Sequence, residues 1–469
     1  MITKLDLQER VREWALTEEV IEKDYVLGWL LWGIGSDESL SQTWIFKGGT
    51  CLKKCYIETY RFSEDLDFTV LPNGSIKPSD LESVLRNILQ RVSDESGITF
   101  SARPPTFKHH DSGNYTQGRI YYQGPRNAPT VSVIILDLSA SERVIRPPVA
   151  LPITHSYPDQ LPEPRTVRCY AFEELFAEKI RAMGERSRPR DLYDIVNLYR
   201  RPDLGTDPKV ISAVLAQKCQ NKGVPIPTLE NLAASPFRVE LESEWDNMLR
   251  HQLAALPPFE SFWTELPGLF GWLQGAREIE VLAPAPADPQ EQGAAPLVLP
   301  RTVTTWGYPV PVEAIRFAGA NRLCVKLGYQ GTTRIIEPYS LRRTNDGNLL
   351  LHAIKRPTGE HRSYRVDRIQ SVETTNQPFT PVYAVEFSQG GLLHIPPTSI
   401  DYESRRTAAP RAPSRPRGIH SHRTFGMTYS VECPYCQKRF RRDRPDTTLN
   451  PHKNSLGMPC PGRRGFIVS

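Results

Sequence analysis

Residues 44–68 hold the pattern that most narrows the folds open to this chain. A short apolar run, Trp44-Ile-Phe46, meets Lys47 and two glycines, and the chain then opens a helix before Arg61-Phe-Ser-Glu-Asp-Leu-Asp-Phe68 returns as a strand. Gly48 and Gly49 let a backbone approach a phosphate with no Cβ in the way, and the N–H groups of the helix start can face the anion. On the returning strand, period-2 geometry puts Asp65 and Asp67 on one face and Leu66 and Phe68 on the other. Two adjacent carboxylates repel each other unless a cation lies between them, so a divalent metal, Mg²⁺ or Mn²⁺, is the natural third party. Such a site suits phosphoryl or nucleotidyl transfer from an NTP. A third carboxylate is expected to complete the metal clamp, and Asp137, at the end of the strand Val131–Leu138, is the candidate.

The rest of the chain is divided by composition. Its 469 residues exceed one ordinary core, so two to four domains are expected. Residues 1–275 read as mixed helix and strand, an α+β domain with a helical C-terminal part. Glu9–Trp32 has helical periodicity, Trp44–Phe46, Leu66–Val70 and Val131–Leu138 read as strands, and Glu173–Met183 and Asp191–Tyr199 read as helices. Residues 276–300 form a Pro/Ala linker. Residues 301–400 hold short β-type runs with a turn at Asn345-Asp-Gly347. An Arg/Pro-rich linker, 401–425, leads to a small unit, 426–469.

Charge follows the same division. The net +5 conceals a tail, 401–469, with 14 Lys/Arg against 5 Asp/Glu, and a region 301–400 with 12 against 7. The first 300 residues are therefore net acidic and the remainder is basic, as expected of modules that touch nucleic acid. No apolar run approaches the roughly 18–20 residues that span a bilayer, and the N-terminus lacks a secretory core. A cytoplasmic protein without membrane contact is expected. Three of eight cysteines cluster near the C-terminus, which fits a metal site plus reduced thiols better than a disulfide framework.

Lys47-Gly-Gly-Thr50 followed by Arg61-Phe-Ser-Glu-Asp-Leu-Asp67 resembles the signature of the AbiEii/AbiGii toxin family of nucleotidyltransferases. Ile21-Glu-Lys-Asp-Tyr25 upstream, and Ala177-Glu-Lys-Ile-Arg-Ala182 and Arg190-Asp-Leu-Tyr-Asp194 downstream, match it in the same order, across residues 15–200. The resemblance implies a polymerase-β-like nucleotidyltransferase fold, a toxin of toxin–antitoxin or phage-defence systems, transfer to RNA, notably tRNA, and a separately encoded antitoxin. Carried over, Lys47, Gly48, Gly49 and Thr50 line the triphosphate, and Ser63 sits beside the metals. Asp65 and Asp67 bind metal, Lys179 contacts the nucleotide phosphates, and Asp191 is a possible base. Glu22, Lys23 and Asp24 read as a structural charge network.

Arg334–Ile369 alternates as strands of a small β domain and resembles the WYL domains of bacterial regulators, although Asn348-Leu-Leu350 replaces the name-giving tripeptide. That resemblance implies ligand or nucleic-acid binding, with Arg342, Arg343, Arg365 and Arg368 as candidate contacts. In the last unit, Cys433-Pro-Tyr-Cys436 is a knuckle in which two thiolates can share one Zn²⁺, and His452 and Cys460 complete a four-ligand set. His420 and His422 are alternatives for the third ligand. The spacing resembles a C2HC-type zinc finger. Lys438, Arg439, Arg441, Arg442 and Arg444 follow the knuckle and suit phosphate-backbone contact. The leading expectation is a metal-dependent nucleotidyltransferase acting on an RNA. The alternatives are a binding protein on an inactive scaffold, or a nucleotidyltransferase acting on protein.

Overall fold

The computed structural model describes residues 1–57, 61–110, 114–201, 207–234, 237–287, 311–344, 348–356, 358–389 and 429–442, with scattered residues from 447 to 467. It divides into two compact units, Met1–Ala408 and Ala409–Ser469.

The first unit opens with two helices where the periodicity of 9–32 predicts one. Helix α1 (Lys4–Trp14) carries a capping box made by Thr3 and Asp6 and ends at Ala15 in the left-handed conformation. Helix α2 (Glu18–Gly35) restarts after Thr17. Hydrophobic spacing runs through the break, because both helices bury a face in the same core. Short α3 (Leu40–Thr43) leads into β1 (Trp44–Lys47), α4 (Gly48–Cys51) and a π turn at Leu52–Tyr56. Then come β2 (Asp65–Val70), α5 (Pro78–Ser96), β3 (Thr106–His110), β4 (Tyr115–Tyr122), β5 (Ser132–Ser139), β6 (Val149–Pro152) and β7 (Thr166–Cys169).

These strands form one seven-stranded sheet in the order β3-β4-β5-β2-β1-β7-β6. Strand β2 lies at its centre, antiparallel to β1 and parallel to β5. Its burial alternates through Asp65, Leu66, Asp67 and Phe68, so the apolar pair enters the core and the acidic pair faces the other way. Helices α6 (Phe172–Arg186), α7 (Pro189–Tyr199), α8 (Pro208–Lys222), α9 (Leu229–Ala234), α10 (Phe237–Leu249), α11 (Glu260–Trp263) and α12 (Leu266–Leu273) supply the helical part.

The region expected as purely β begins with a helix, α13 (Val312–Ala320), followed by a five-stranded antiparallel sheet. Its strands are β8 (Leu323–Tyr329), β9 (Thr332–Arg343), β10 (Leu349–Arg356), β11 (Glu360–Arg365) and β12 (Ile369–Pro378). Strands β9 and β10 pair across the expected turn, whose residues 345–347 lie outside the described set. Helix α13 packs on β8, β9 and β12 and also on α1. The Tyr193 hydroxyl of α7 donates to Asn321 Oδ1 at 2.7 Å, and Arg200 and Arg322 share Glu265 at 2.6 and 2.5 Å. The β module is thus bonded directly to the helical part.

In the second unit, β13 (Tyr429–Glu432) pairs with β14 (Arg439–Arg442) and β15 (Phe466–Ile467). Val431, Cys433, Leu449 and Cys460 form its small core. No helix among the described residues is long and apolar enough to cross a membrane.

Candidate active site and metal centres

Two adjacent strands deliver the acidic residues and a third brings a cation beside them. The parallel register of β2 and β5 sets Asp67 beside Asp137. The antiparallel register of β1 and β2 sets Lys47 beside Asp67. Asp65, Asp67 and Asp137 line one cavity of about 290 Å³, together with Lys47, Gly48, Gly49 and Ser63. Its other wall comes from α6, α7 and their junction and mixes the cations Lys179, Arg181, Arg186, Arg188 and Arg190 with Glu178, Glu185 and Asp191. One wall therefore suits cations and the other suits a polyphosphate.

The glycines are there for space. Gly48 has φ +80°, and a Cβ on it would collide with the Asp67 carboxylate. A Cβ on Gly49 would lie 2.6 Å from Arg61 Nη2 and 3.1 Å from Ser63 Oγ. Thr50 plays a different part from the one expected. It is buried, and its hydroxyl donates to the Asp65 carbonyl at 2.5 Å, so it pins the helix start to β2 rather than lining the cavity.

The carboxylates are electrostatically strained without a cation. Burial, then the charges of Asp67 and Asp137, pushes the Asp65 carboxyl up to about 6. Burial also raises Asp67, aided by Asp137 and opposed by the ammonium of Lys47. Asp137 is oriented by the Tyr115 hydroxyl at 2.5 Å and by Gln117 Nε2 at 3.1 Å. Lys47 pairs with Glu142. A cluster of ionisable carboxylates with raised affinity for protons is the donor chemistry a hard divalent cation requires.

On the helical wall, Lys179 Nζ bonds Asp194 Oδ2 at 2.6 Å and lies 3.9 Å from Asp191 Oδ1. Asp194 is fully buried and takes two hydrogen bonds from Arg61, at 2.7 and 2.9 Å. Burial opposes ionisation there, yet Arg61 and Lys179 hold the Asp194 carboxyl below the usual range. Asp191 receives Arg186 Nε at 2.9 Å and Nη2 at 3.1 Å. Its carboxylate is thus engaged by a guanidinium rather than poised toward Asp65 and Asp67. Arg186 and Arg188 are cavity residues that sequence reasoning missed. Their signal was the run Arg186-Ser-Arg-Pro-Arg-Asp191, in which alternate cations bridge two helices. Glu22, Lys23 and Asp24 form the expected charge network, bonding the Arg126 N–H, Glu64 and Lys54.

In the β module, Arg342 does not reach the surface. It is 2% exposed and pairs with Glu386 at 2.9 Å, because both faces of β9 are covered along its second half. The Arg343 side chain lies outside the described residues. Arg365 is half-buried, bonded to Asp367 at 2.7 Å and Asn348 at 2.8 Å, and Arg368 is exposed.

In the second unit, one ligand atom each from Cys433, Cys436, His452 and Cys460 lies within 4.8 Å of the others. Cys433 Sγ is 3.7 Å from Cys460 Sγ, and Cys436 Sγ is 3.3 Å from His452 Nε2. Tetrahedral zinc with sulfur at about 2.3 Å places its thiolates about 3.8 Å apart, so the set fits the ion. His420, His422 and Arg444 lie outside the described residues, as do the side chains of Arg441 and Arg442. Lys438 and Arg439 are exposed, and Arg439 pairs with Glu432 at 2.6 Å.

A mixed sheet with acidic residues on adjacent central strands, a Gly-Gly turn beside them and a helical wall of cations defines a nucleotidyltransferase. The model of the nucleotidyl transferase AbiEii toxin family, type IV toxin–antitoxin system, matches residues 29–265. The chain belongs to this family, which makes it a toxin-type nucleotidyltransferase. The WYL domain model matches residues 312–374. Among solved structures, the chain is similar to MenT4, a nucleotidyltransferase toxin from Mycobacterium tuberculosis H37Rv. That match has 19% identity, 58% coverage of this chain and 90% of that one, and a TM-score of 0.41. It is also similar to proteasome accessory factor B/C of Arthrobacter aurescens, at 20% identity, 29% and 21% coverage and a TM-score of 0.14. No curated protein matches.

Proposed function

We propose that the chain transfers a nucleotide from an NTP to a hydroxyl of an RNA acceptor, tRNA-like in size, with release of pyrophosphate. The observation that carries this reading is the cavity whose one wall holds Asp65, Asp67 and Asp137 and whose other wall holds Lys179, Arg186, Arg188 and Arg190. Asp65 and Asp67 would hold Mg²⁺ or Mn²⁺, which when bound neutralises the triphosphate and the leaving pyrophosphate. The Gly48-Gly49 backbone and the cationic wall bind the phosphates, leaving the α-phosphorus open to in-line attack. The acceptor oxygen bonds to that phosphorus as its bond to the β-bridging oxygen breaks. Asp137, oriented by Tyr115 and Gln117, takes the hydroxyl proton. Asp191 acts through Arg186, positioning it against the phosphates.

The exposed cations Arg368, Lys438 and Arg439 support contact with the acceptor backbone, beside the half-buried Arg365. Cys433, Cys436, His452 and Cys460 would hold Zn²⁺, fixing the small unit that presents Lys438 and Arg439. Cytoplasmic residence and a separately encoded antitoxin fit the toxin family. The test incubates full-length protein with Mg²⁺, each α-labelled NTP in turn and total bacterial RNA, beside the Asp65→Ala/Asp67→Ala variant. Label in one RNA size class, dependent on both aspartates, is the expected result. Label on a protein band would replace the RNA acceptor by a protein, and no label at all would remove the transferase assignment.

A further inference from the structure

Three of the remaining cysteines converge behind the phosphate-binding turn. Cys51 ends α4, the short helix that begins with Gly48 and Gly49. Cys55 lies in the π turn that follows, where the Ile57 N–H reaches back five residues to the Leu52 carbonyl at 2.7 Å. Cys169 ends β7, opposite Phe46 of β1. Their sulfur atoms all lie within 4.8 Å of one another. Cys51 and Cys169 are fully buried, whereas Cys55 is half-exposed.

Hydrogen bonds fix the segments that carry Cys55 and Cys169. The Tyr170 N–H, next to Cys169, donates to the Phe46 carbonyl at 2.9 Å. The Thr154 N–H donates to the Lys54 carbonyl at 2.7 Å, and the Tyr56 hydroxyl donates to the Tyr170 carbonyl at 2.7 Å. Small apolar packing would explain one buried cysteine, but it gives no reason for three sulfurs from two segments to meet at one point. Sulfurs within 4.8 Å of one another are close enough to share one tetrahedral zinc, whose thiolates lie about 3.8 Å apart. Three protein ligands would leave a fourth position to water, and Cys55 is the one of the three that is not fully buried.

We infer that Cys51, Cys55 and Cys169 form a thiolate site for one Zn²⁺ that staples the Gly48–Cys51 turn to the sheet from behind. Binding displaces the thiol protons to solvent and leaves the sulfur oxidation state unchanged. The inference is independent of the transferase reaction and of the acceptor.

The experiment titrates reduced full-length protein with Cd²⁺ and follows thiolate-to-metal absorbance, which carboxylate-bound metal does not produce. Wild type is expected to take two thiolate-held ions per chain, one here and one at Cys433, Cys436, His452 and Cys460. The Cys433→Ser/Cys436→Ser variant is expected to retain one, and this is lost on adding Cys55→Ser, a change at a half-exposed position. Zn²⁺ should compete the signal away. A Cys433→Ser/Cys436→Ser variant with no thiolate absorbance overturns the inference, as does absorbance that survives Cys55→Ser unchanged. Because the first of these variants leaves the nucleotidyltransferase core intact, the decision does not depend on the folding of a core mutant.

Discussion

In the core, Asp65, Asp67 and Asp137 stand side by side because the parallel pairing of β2 and β5 puts them there, and the sheet holds them against mutual repulsion. In the C-terminal unit, Cys433, Cys436, His452 and Cys460 meet around a core of only a few buried side chains. The first centre is framed by a large hydrophobic core, so an ion bound there could come and go with each nucleotide. The second has too little apolar burial to fold alone, so an ion bound there would be part of the fold. A metal that serves chemistry and a metal that serves structure are thus told apart by which one the surrounding core could do without.

The largest expected effect falls on the C-terminal unit. Cys433→Ser with Cys436→Ser should unfold the C-terminal unit entirely while the core keeps its melting transition. Limited proteolysis and circular dichroism would show whether the loss stays confined to the tail. In the core the largest effect falls on chemistry. Asp65→Ala with Asp67→Ala should lower transfer by on the order of 10³-fold or more, from loss of several kcal/mol of transition-state stabilisation, with folding retained. The helical wall should respond the other way. Asp194→Ala removes the buried carboxylate that Arg61 and Lys179 share, leaving Lys179 only the more distant Asp191, and should cost about 3–5 kcal/mol in denaturant unfolding.

The smallest effect sharpens the account of the carboxylates. Asp65 binds its proton more tightly folded than unfolded, so its contribution to stability is full below its ordinary value near 4 and is lost as pH rises through about 6. Without divalent metal, Asp65→Asn should therefore melt a few degrees above wild type at pH 7.5, with the gap closing by pH 4. Added Mg²⁺ should narrow the gap at pH 7.5 by stabilising the wild type alone. A constant gap across pH would show that the site is not strained by like charge.

The acidic half of the site was legible because a strand has a period of two, so Asp65 and Asp67 had to share a face and a long neighbouring strand could present Asp137. Gly48 and Gly49 were legible because few other reasons put two glycines between a strand and a helix. The cationic half was less so, since the placement of Arg186 and Arg188 depends on how α6 and α7 meet, which no local pattern records. Thr50 and Arg342 misled for one reason. Polar residues read as facing solvent or ligand, yet both are satisfied inside, one on a carbonyl and the other on Glu386. Helix α13 hid because its nine residues are nearly all buried, which erases the polar stripe that marks an amphipathic helix.

Helix α7 has a further consequence. It carries Asp191 near its start, Tyr193, bonded to Asn321, and Asp194 at its middle and Tyr199 at its end, and it is about 16 Å long. A helix of that length does not compress, so it works as a strut. Whatever displaces the Asn321 corner of the β module must either break the Tyr193 bond or carry the helix along, and with it the carboxylates that brace Arg61, Lys179 and Arg186. The stiffness of one short rod thus ties the placement of Arg61, Lys179 and Arg186 to the seating of a neighbouring sheet.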